Sequence, residues 1–125
     1  FKNANVNIIP TGVDLNIFKD WGYRNLRSSL NLPTDKKLIL FGSINPSKDN
    51  RKGGTYLYRA LSLFKKNCDT DLVIFGSNNS QEINENFKVH NLGFINDDKK
   101  MAMIYSTCDI FVALFSLSSR LNLIV

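Results

Sequence analysis

The protein has 125 residues, of which 43% are hydrophobic. This is enough for one globular domain with a buried core, and it leaves no room for a second domain. The net charge of +5 favours anionic partners such as phosphates, acidic lipid surfaces or nucleic acid, without choosing among them. No apolar run approaches the ~20 residues that a membrane-spanning helix needs, so none is expected in this stretch.

The cysteines indicate the cellular compartment of the protein, and the chain ends indicate whether the sequence is whole. Cys68 and Cys108 lack the spacing of a disulfide framework or a zinc site, so free thiols in a reducing cytoplasm are expected. The chain begins at Phe1 rather than at a methionine, and its last residues, Leu121 to Val125, form an apolar run without a cap. We therefore expect both ends to be cut.

The first predicted elements are a strand and a helix. The apolar run at residues 6–9 is stopped by Pro10, which is typical of a short strand. Apolar residues then recur near helical spacing up to Pro33, and they predict a helix from about Asp20 to Leu30.

Two similar strand, loop and helix patterns follow. The run KLILF at residues 37–41 is typical of a strand buried on both faces, and a helix beginning near Gly53 or Gly54 is predicted from a stripe at i, i+3, i+4 and i+7. The run DLVIF at residues 71–75 and the shorter VHNLGF at 89–94 predict two more strands. After a cap at Asn96 or Asp97, a second stripe predicts a helix, and residues 109–114 predict a last strand. The two stripes consist of Leu57, Ala60, Leu61 and Phe64, and of Met101, Ile104, Tyr105 and Cys108.

This alternation predicts an α/β fold, a Rossmann-like parallel sheet of about five strands with helices on both faces. Ligands of such sheets bind outside the carboxyl ends of the strands. The loops after Phe41, Phe75 and Phe94 should therefore share one edge, and they contain Gly42, Gly76 and Gly93. A glycine at a strand end allows close backbone approach to a ligand or a sharp turn, and both roles stay open.

The best site signal is the loop Arg51-Lys52-Gly53-Gly54 at the predicted start of a helix. Cationic side chains, free backbone N–H groups and the positive end of the helix dipole would converge there on a phosphate. A solvated basic loop is the alternative. His90 is interpreted as structural, and none of the serines lies in the Gly-x-Ser-x-Gly context of a serine hydrolase.

The order of motifs resembles the C-terminal domain of group 1 (family 4) glycosyltransferases, which have the two-domain GT-B architecture. Thr11 stands where the family commonly has Asn. The motifs are VNIIPTGVD at residues 6–14 followed by Phe18, LFG at 40–42, RKG at 51–53, LVIFG at 72–76, VHNLGF at 89–94 and YSTCDIFV at 105–112. Members that build bacterial lipopolysaccharide, capsule or exopolysaccharide are the nearest likeness.

The resemblance implies transfer of a sugar from a nucleoside diphosphate sugar to an acceptor glycan or glycolipid, with retention of anomeric configuration. It implies no bound metal or other cofactor and no nucleic-acid partner. A cytoplasmic protein is expected, and peripheral association of the full-length protein with the inner face of the membrane is compatible with the likeness. Residues 1–125 would form a partial donor-binding domain, without the N-terminal acceptor domain and the final strands and helices.

The resemblance also assigns site residues. Lys52 matches the family lysine that contacts the donor phosphates, and Gly42 matches the glycine beneath them. Ser43 replaces the arginine that follows this glycine in many members, which leaves Arg51 as a substitute cation. The donor cleft is bordered by Gly76 and Ser77, and the nucleobase is bound by the backbone at Phe94 and Ile95.

The largest departure from the family follows the last predicted strand. Residues 114–125 contain no glutamate, whereas the family continues there with an acidic helix that holds the donor sugar and ribose. No catalytic residue is assigned, and either a truncated or frame-shifted gene product or a piece of a longer sequence would explain the difference. Two other classes stay open, a nucleotide- or phosphate-binding regulatory domain and a basic RNA-binding module.

Overall fold

The computed structural model describes residues 7–42, 54–64, 69–76 and 87–113. Three helices and four strands lie in these ranges, and they follow the predicted order. They are α1 (Tyr23–Ser29), β1 (Lys37–Gly42), α2 (Gly54–Ser62), β2 (Thr70–Phe75), β3 (Val89–Asn91), α3 (Asp98–Thr107) and β4 (Ile110–Val112).

The four strands form one parallel sheet in the order β3-β2-β1-β4. The connection from β1 to β2 runs in one direction across the sheet and that from β3 to β4 runs in the other. Right-handed crossovers therefore place α2 and α3 on opposite faces. This arrangement confirms the predicted α/β, Rossmann-like fold.

Two hydrophobic clusters cover the two faces of the sheet, which explains why β1 and β2 read as unbroken apolar runs. Successive residues of β1 alternate between the clusters, because neighbouring side chains of a strand point to opposite faces. The cluster beneath α2 contains Phe41, Leu57, Leu61, Leu72, Ile74 and Phe87. The cluster beneath α3 contains Leu32, Leu38, Leu40, Val73 and Ile104.

Local signals set the helix starts. The side chain of Asp97 accepts a hydrogen bond of 2.6 Å from the backbone N–H of Lys100, so Asp97 is the N-cap of α3 and Asn96 is not. Helix α1 begins at Tyr23, three residues later than expected. The reason is a turn in which Asp20 Oδ1 accepts the N–H of Gly22, a residue with φ of 73°.

The predicted first strand is wrong for its described part, residues 7–9. These residues form no strand, and Ile8 and Ile9 are 92% and 86% exposed. An apolar run becomes a strand only where a partner strand takes its backbone hydrogen bonds. The described sheet offers residues 7–9 no such pairing.

Several residues of the predicted stripes are not buried. Ala60 and Phe64 are exposed, and α2 ends at Ser62. Of the four residues in the first stripe, only Leu57 and Leu61 are therefore buried. On α3, Tyr105 is exposed whereas Ala102 and Thr107, which the stripe does not include, are buried. No helix among the described residues is long and apolar enough to span a bilayer.

Candidate functional site

The carboxyl ends of β1, β2 and β3 meet at one edge of the sheet. Gly42 at the end of β1 is in register with Phe75 at the end of β2. The N–H of Gly76 donates a 2.8 Å hydrogen bond to the carbonyl of Gly93, just beyond β3. The prediction of a shared edge is therefore confirmed for its described residues, and we call Gly42, Gly76 and Gly93 the carboxyl edge.

Two of these glycines have a backbone that disfavours other residues. The φ angles of Gly76 and Gly93 are 91° and 66°, which lie in the left-handed region. The N–H of Gly93 also donates to Oδ1 of Asn91 at 2.9 Å, which closes a tight turn after β3. The chain thus turns sharply at both positions, directly beside the ends of the strands.

Gly42 is required by packing. A Cβ atom at this position would lie 2.9 Å from both Cε1 and Cε2 of the Phe75 ring, closer than real Cβ contacts. The ring is held by an edge contact with Tyr105 on α3, with centroids 6.1 Å apart. A packing role for Gly42 is thereby shown, and its role beneath the donor phosphates stays a prediction.

Phe94 and Ile95 continue the chain from the carboxyl edge towards α3. Ile95 packs against the cluster beneath α3, whereas the Phe94 side chain is 54% exposed. The partly buried isoleucine anchors the backbone on the core, and the neighbouring Phe94 is open to solvent. This is the placement that backbone contacts to a nucleobase require, although the contacts themselves stay predicted.

The remaining predicted site residues lie outside the described part of the chain. They are Ser43, Arg51, Lys52 and Ser77. Helix α2 does begin at Gly54, the last residue of the predicted basic loop, in agreement with the expected helix start. Within residues 7–42, 54–64, 69–76 and 87–113, no three side chains form a group that could hold a metal ion.

Comparison with protein families identifies this arrangement. The family model described as glycosyl transferases group 1 matches residues 35–122, which is more than half of the chain. The chain belongs to the group 1 glycosyl transferases. The match spans all three glycines of the carboxyl edge and the predicted basic loop. Searches of curated proteins and of solved structures gave no match.

The opposite, amino-terminal edge of this group 1 glycosyl transferase domain carries an ionic network that the sequence did not reveal. Arg27 is 3% exposed and its guanidinium lies 2.9 Å from Oδ2 of Asp109. It also donates to the backbone carbonyls of Thr107 and Lys36, at 2.9 and 2.8 Å. Arg27 thereby ties α1 to the ends of α3 and to the entry of β1.

Asp109 has a perturbed pKa. Burial pushes its pKa upward, but hydrogen bonds from the Leu38 N–H, Lys37 and Arg27, together with the charge of Arg27, outweigh burial and leave the pKa below its usual value. Its Oδ1 lies 3.1 Å from the Lys37 ammonium group. Lys37 therefore contributes to the network from an exposed position.

A second ionic group lies on the face beneath α3. Asp71 is 2% exposed, and its two carboxylate oxygens contact the Lys36 ammonium group at 3.2 Å and Nε2 of His90 at 2.8 Å. A buried carboxylate needs such partners. His90 lies inside β3 as predicted, and its contact with Asp71 agrees with a structural role.

Burial raises the pKa of three other groups. It raises the pKa of Tyr58 on α2 to about 12, and it also raises the pKa values of Tyr105 and of the free thiol Cys108. The Tyr58 hydroxyl is buried without a hydrogen-bond partner. Nothing in the described residues explains this unpaired hydroxyl.

Proposed function

We propose that this chain is the donor-binding part of a retaining glycosyltransferase. It would transfer a sugar from a nucleoside diphosphate sugar to an acceptor glycan or glycolipid during synthesis of bacterial lipopolysaccharide, capsule or exopolysaccharide. The observation that supports this best is the carboxyl edge, where a glycine lies at or just after the end of each of three strands, all within the family match. Ligands of parallel α/β sheets bind at this edge.

In this proposal the diphosphate is bound by cations and backbone amides. Lys52 and Arg51 would neutralise the phosphates, and the N-terminus of α2 follows them at Gly54. Gly42 at the end of β1 and the turn at Gly76 would let the diphosphate approach the backbone. With two cationic side chains at the phosphates, the donor would bind without a metal ion or another cofactor.

The nucleobase would bind along the segment at Phe94 and Ile95. Ile95 is partly buried and packs against the cluster beneath α3, so this backbone is positioned before the ligand arrives. Binding by a preorganised backbone costs less ordering entropy than binding by a mobile loop. Base choice would then depend on the chain path more than on side-chain identity.

The proposal also covers catalysis and location. We propose that the 125-residue chain alone transfers no sugar, because no acidic side chain is present in residues 114–125 to hold the donor sugar. Sugar transfer needs charged groups and an acceptor held in line. The enzyme would act in the cytoplasm, at the inner face of the membrane, where a glycolipid acceptor is accessible.

Calorimetric titration of UDP, GDP and ADP, alone and as nucleotide sugars, tests the donor site. We expect weak binding of at least one nucleotide, and a loss of about 10- to 100-fold in affinity on Lys52→Ala, because a charge-assisted phosphate contact contributes ~1.5 to 3 kcal/mol. Lys88→Ala is the matched control, since it removes the same charge from an exposed position before β3.

Equal affinities of wild type and Lys52→Ala would remove the phosphate assignment. Binding of single-stranded RNA with a steep dependence on salt, without nucleotide binding, would favour the RNA-binding alternative. Sugar transfer by the same purified chain would show that the catalytic groups lie elsewhere than proposed.

A further inference from the structure

A surface cavity away from the carboxyl edge lies between the turn of residues 14–21 and helix α3. Its volume is about 450 Å³, within the range of roughly 300–1,000 Å³ that is usual for small-molecule sites. It is lined by Phe18, Lys19, Asp20, Ala102, Tyr105 and Ser106. The predicted donor site does not include any of these residues.

The wall of the cavity is held in place by hydrogen bonds. Ser106 Oγ lies 3.0 Å from the carbonyls of both Lys19 and Ala102, which share its one hydroxyl proton, and it accepts the N–H of Trp21 at 3.4 Å. Asp20 Oδ1 accepts the N–H of Gly22 at 2.8 Å. These bonds join the turn to α3, so the lining groups are positioned before any ligand binds.

Three polar groups of the lining keep hydrogen-bonding capacity for a ligand. The Lys19 ammonium group lies 4.8 Å from the centroid of the Trp21 ring and has no carboxylate partner among the described residues. The second carboxylate oxygen of Asp20 and the hydroxyl of Tyr105 likewise have no hydrogen-bond partner in the described part of the chain. The Tyr105 side chain is 39% exposed.

The rings beside these groups are also fixed. Tyr105 makes edge contacts with Phe75 and Phe111, with centroids 6.1 and 5.2 Å away. A rigid ring offers apolar contact area at a low cost in conformational entropy. The cavity therefore combines fixed aromatic surface with one acceptor group and two donor groups.

We propose that this cavity binds a sugar unit of a glycan. The choice of a glycan as the ligand rests on the proposed function. The aromatic rings of Phe18 and Tyr105 would pack against the C–H face of a sugar ring. The Asp20 carboxylate would accept hydrogen bonds from sugar hydroxyls, and the Lys19 ammonium group and Tyr105 hydroxyl would donate them.

The single tryptophan of the protein provides a direct readout. Its indole N–H donates to the carbonyl of Ile17 at 2.8 Å, and Lys19 lies over its ring, so movement of Lys19 towards a ligand changes its emission. We would titrate the whole chain with oligosaccharides of glucose, galactose, mannose and N-acetylglucosamine. A saturable change in Trp21 fluorescence with at least one of them is expected.

Two conservative variants test the lining. Asp20→Asn keeps the oxygen that accepts the Gly22 N–H, and Tyr105→Phe keeps the ring contacts, so both should fold. Each should weaken glycan binding about five- to tenfold by removing one ligand hydrogen bond. The matched controls Asp35→Asn and Tyr56→Phe change exposed groups outside the cavity and should leave the affinity unaltered.

Absence of binding by every oligosaccharide, or wild-type affinity in both cavity variants, would overturn the inference. Titrations with UDP and GDP test the proposed donor site independently of the cavity. Glycan binding that follows the expected pattern in a chain that binds no nucleotide would support the cavity and count against the donor site. Nucleotide binding without glycan binding would support the donor site and count against the cavity.

Discussion

Replacing Gly42 by alanine tests whether this glycine serves packing, as the structure shows, or only the approach of a ligand. The new Cβ would lie 2.9 Å from two carbons of the Phe75 ring, so the ring must shift, which disturbs its edge contact with Tyr105. Overpacking of this kind costs about 1 to 3 kcal/mol. The lower entropy of the unfolded alanine chain offsets about 0.4 to 1 kcal/mol of that cost.

We therefore expect Gly42→Ala to lower the free energy of unfolding by about 1 to 2 kcal/mol, measured by urea denaturation without ligand. The midpoint of thermal unfolding should fall by roughly 4 to 8 °C. A second substitution, Phe75→Leu, removes the ring that the methyl group meets. The double variant should lose about 1 kcal/mol less than the sum of the single losses.

Gly12→Ala is the matched control, because a Cβ at Gly12 meets no atom within 4 Å and its φ is not positive. It should be neutral or slightly stabilising. Wild-type stability of Gly42→Ala, or strict additivity with Phe75→Leu, would refute the packing argument. Gly42 would then be interpreted through ligand approach alone.

Two further predictions concern the network at the amino-terminal edge. Arg27→Met should lower the free energy of unfolding in urea by about 2 to 4 kcal/mol, because Asp109 and the Thr107 carbonyl lose a buried partner. The control Arg59→Met, at an exposed position of α2, should change this free energy by less than about 0.5 kcal/mol. Equal effects of the two substitutions would contradict the role of Arg27. The pKa of Asp109 is lower in the folded protein, so its contribution is present above the unfolded pKa of about 3.9 and is lost as pH falls through the folded value. Urea midpoints of Asp109→Asn should therefore depend less on pH than those of wild type between about pH 5 and pH 2, and parallel profiles would argue against this linkage.

The location of the candidate site was predictable from sequence, because it follows from parallel strands and the glycines that end them. Gly42 and Gly76 were identified on that ground, and the structure places them at the same edge. The packing of Phe75 against Gly42 was not predictable. A glycine that makes room for a ring and one that makes room for a phosphate are identical in sequence.

The cavity beside α3 shows the same limit. Lys19 and Asp20 are ordinary surface residues in the sequence, and Tyr105 had been placed on a core stripe. They come together because Ser106 joins the turn to α3 across more than 80 residues of chain. Only the folded chain brings such distant groups into one cavity.

The spacing of apolar residues and the residues that cap or end an element are local properties of the sequence, and they determined most of the helices and strands of this protein. KLILF and DLVIF became β1 and β2, and Asp97 caps α3. Pairing is not local, so tertiary structure decided that residues 7–9 form no strand and that Arg27 meets Asp109. A strand or a buried charge is stable only with a partner, and the partner's position is set by the fold of the whole domain.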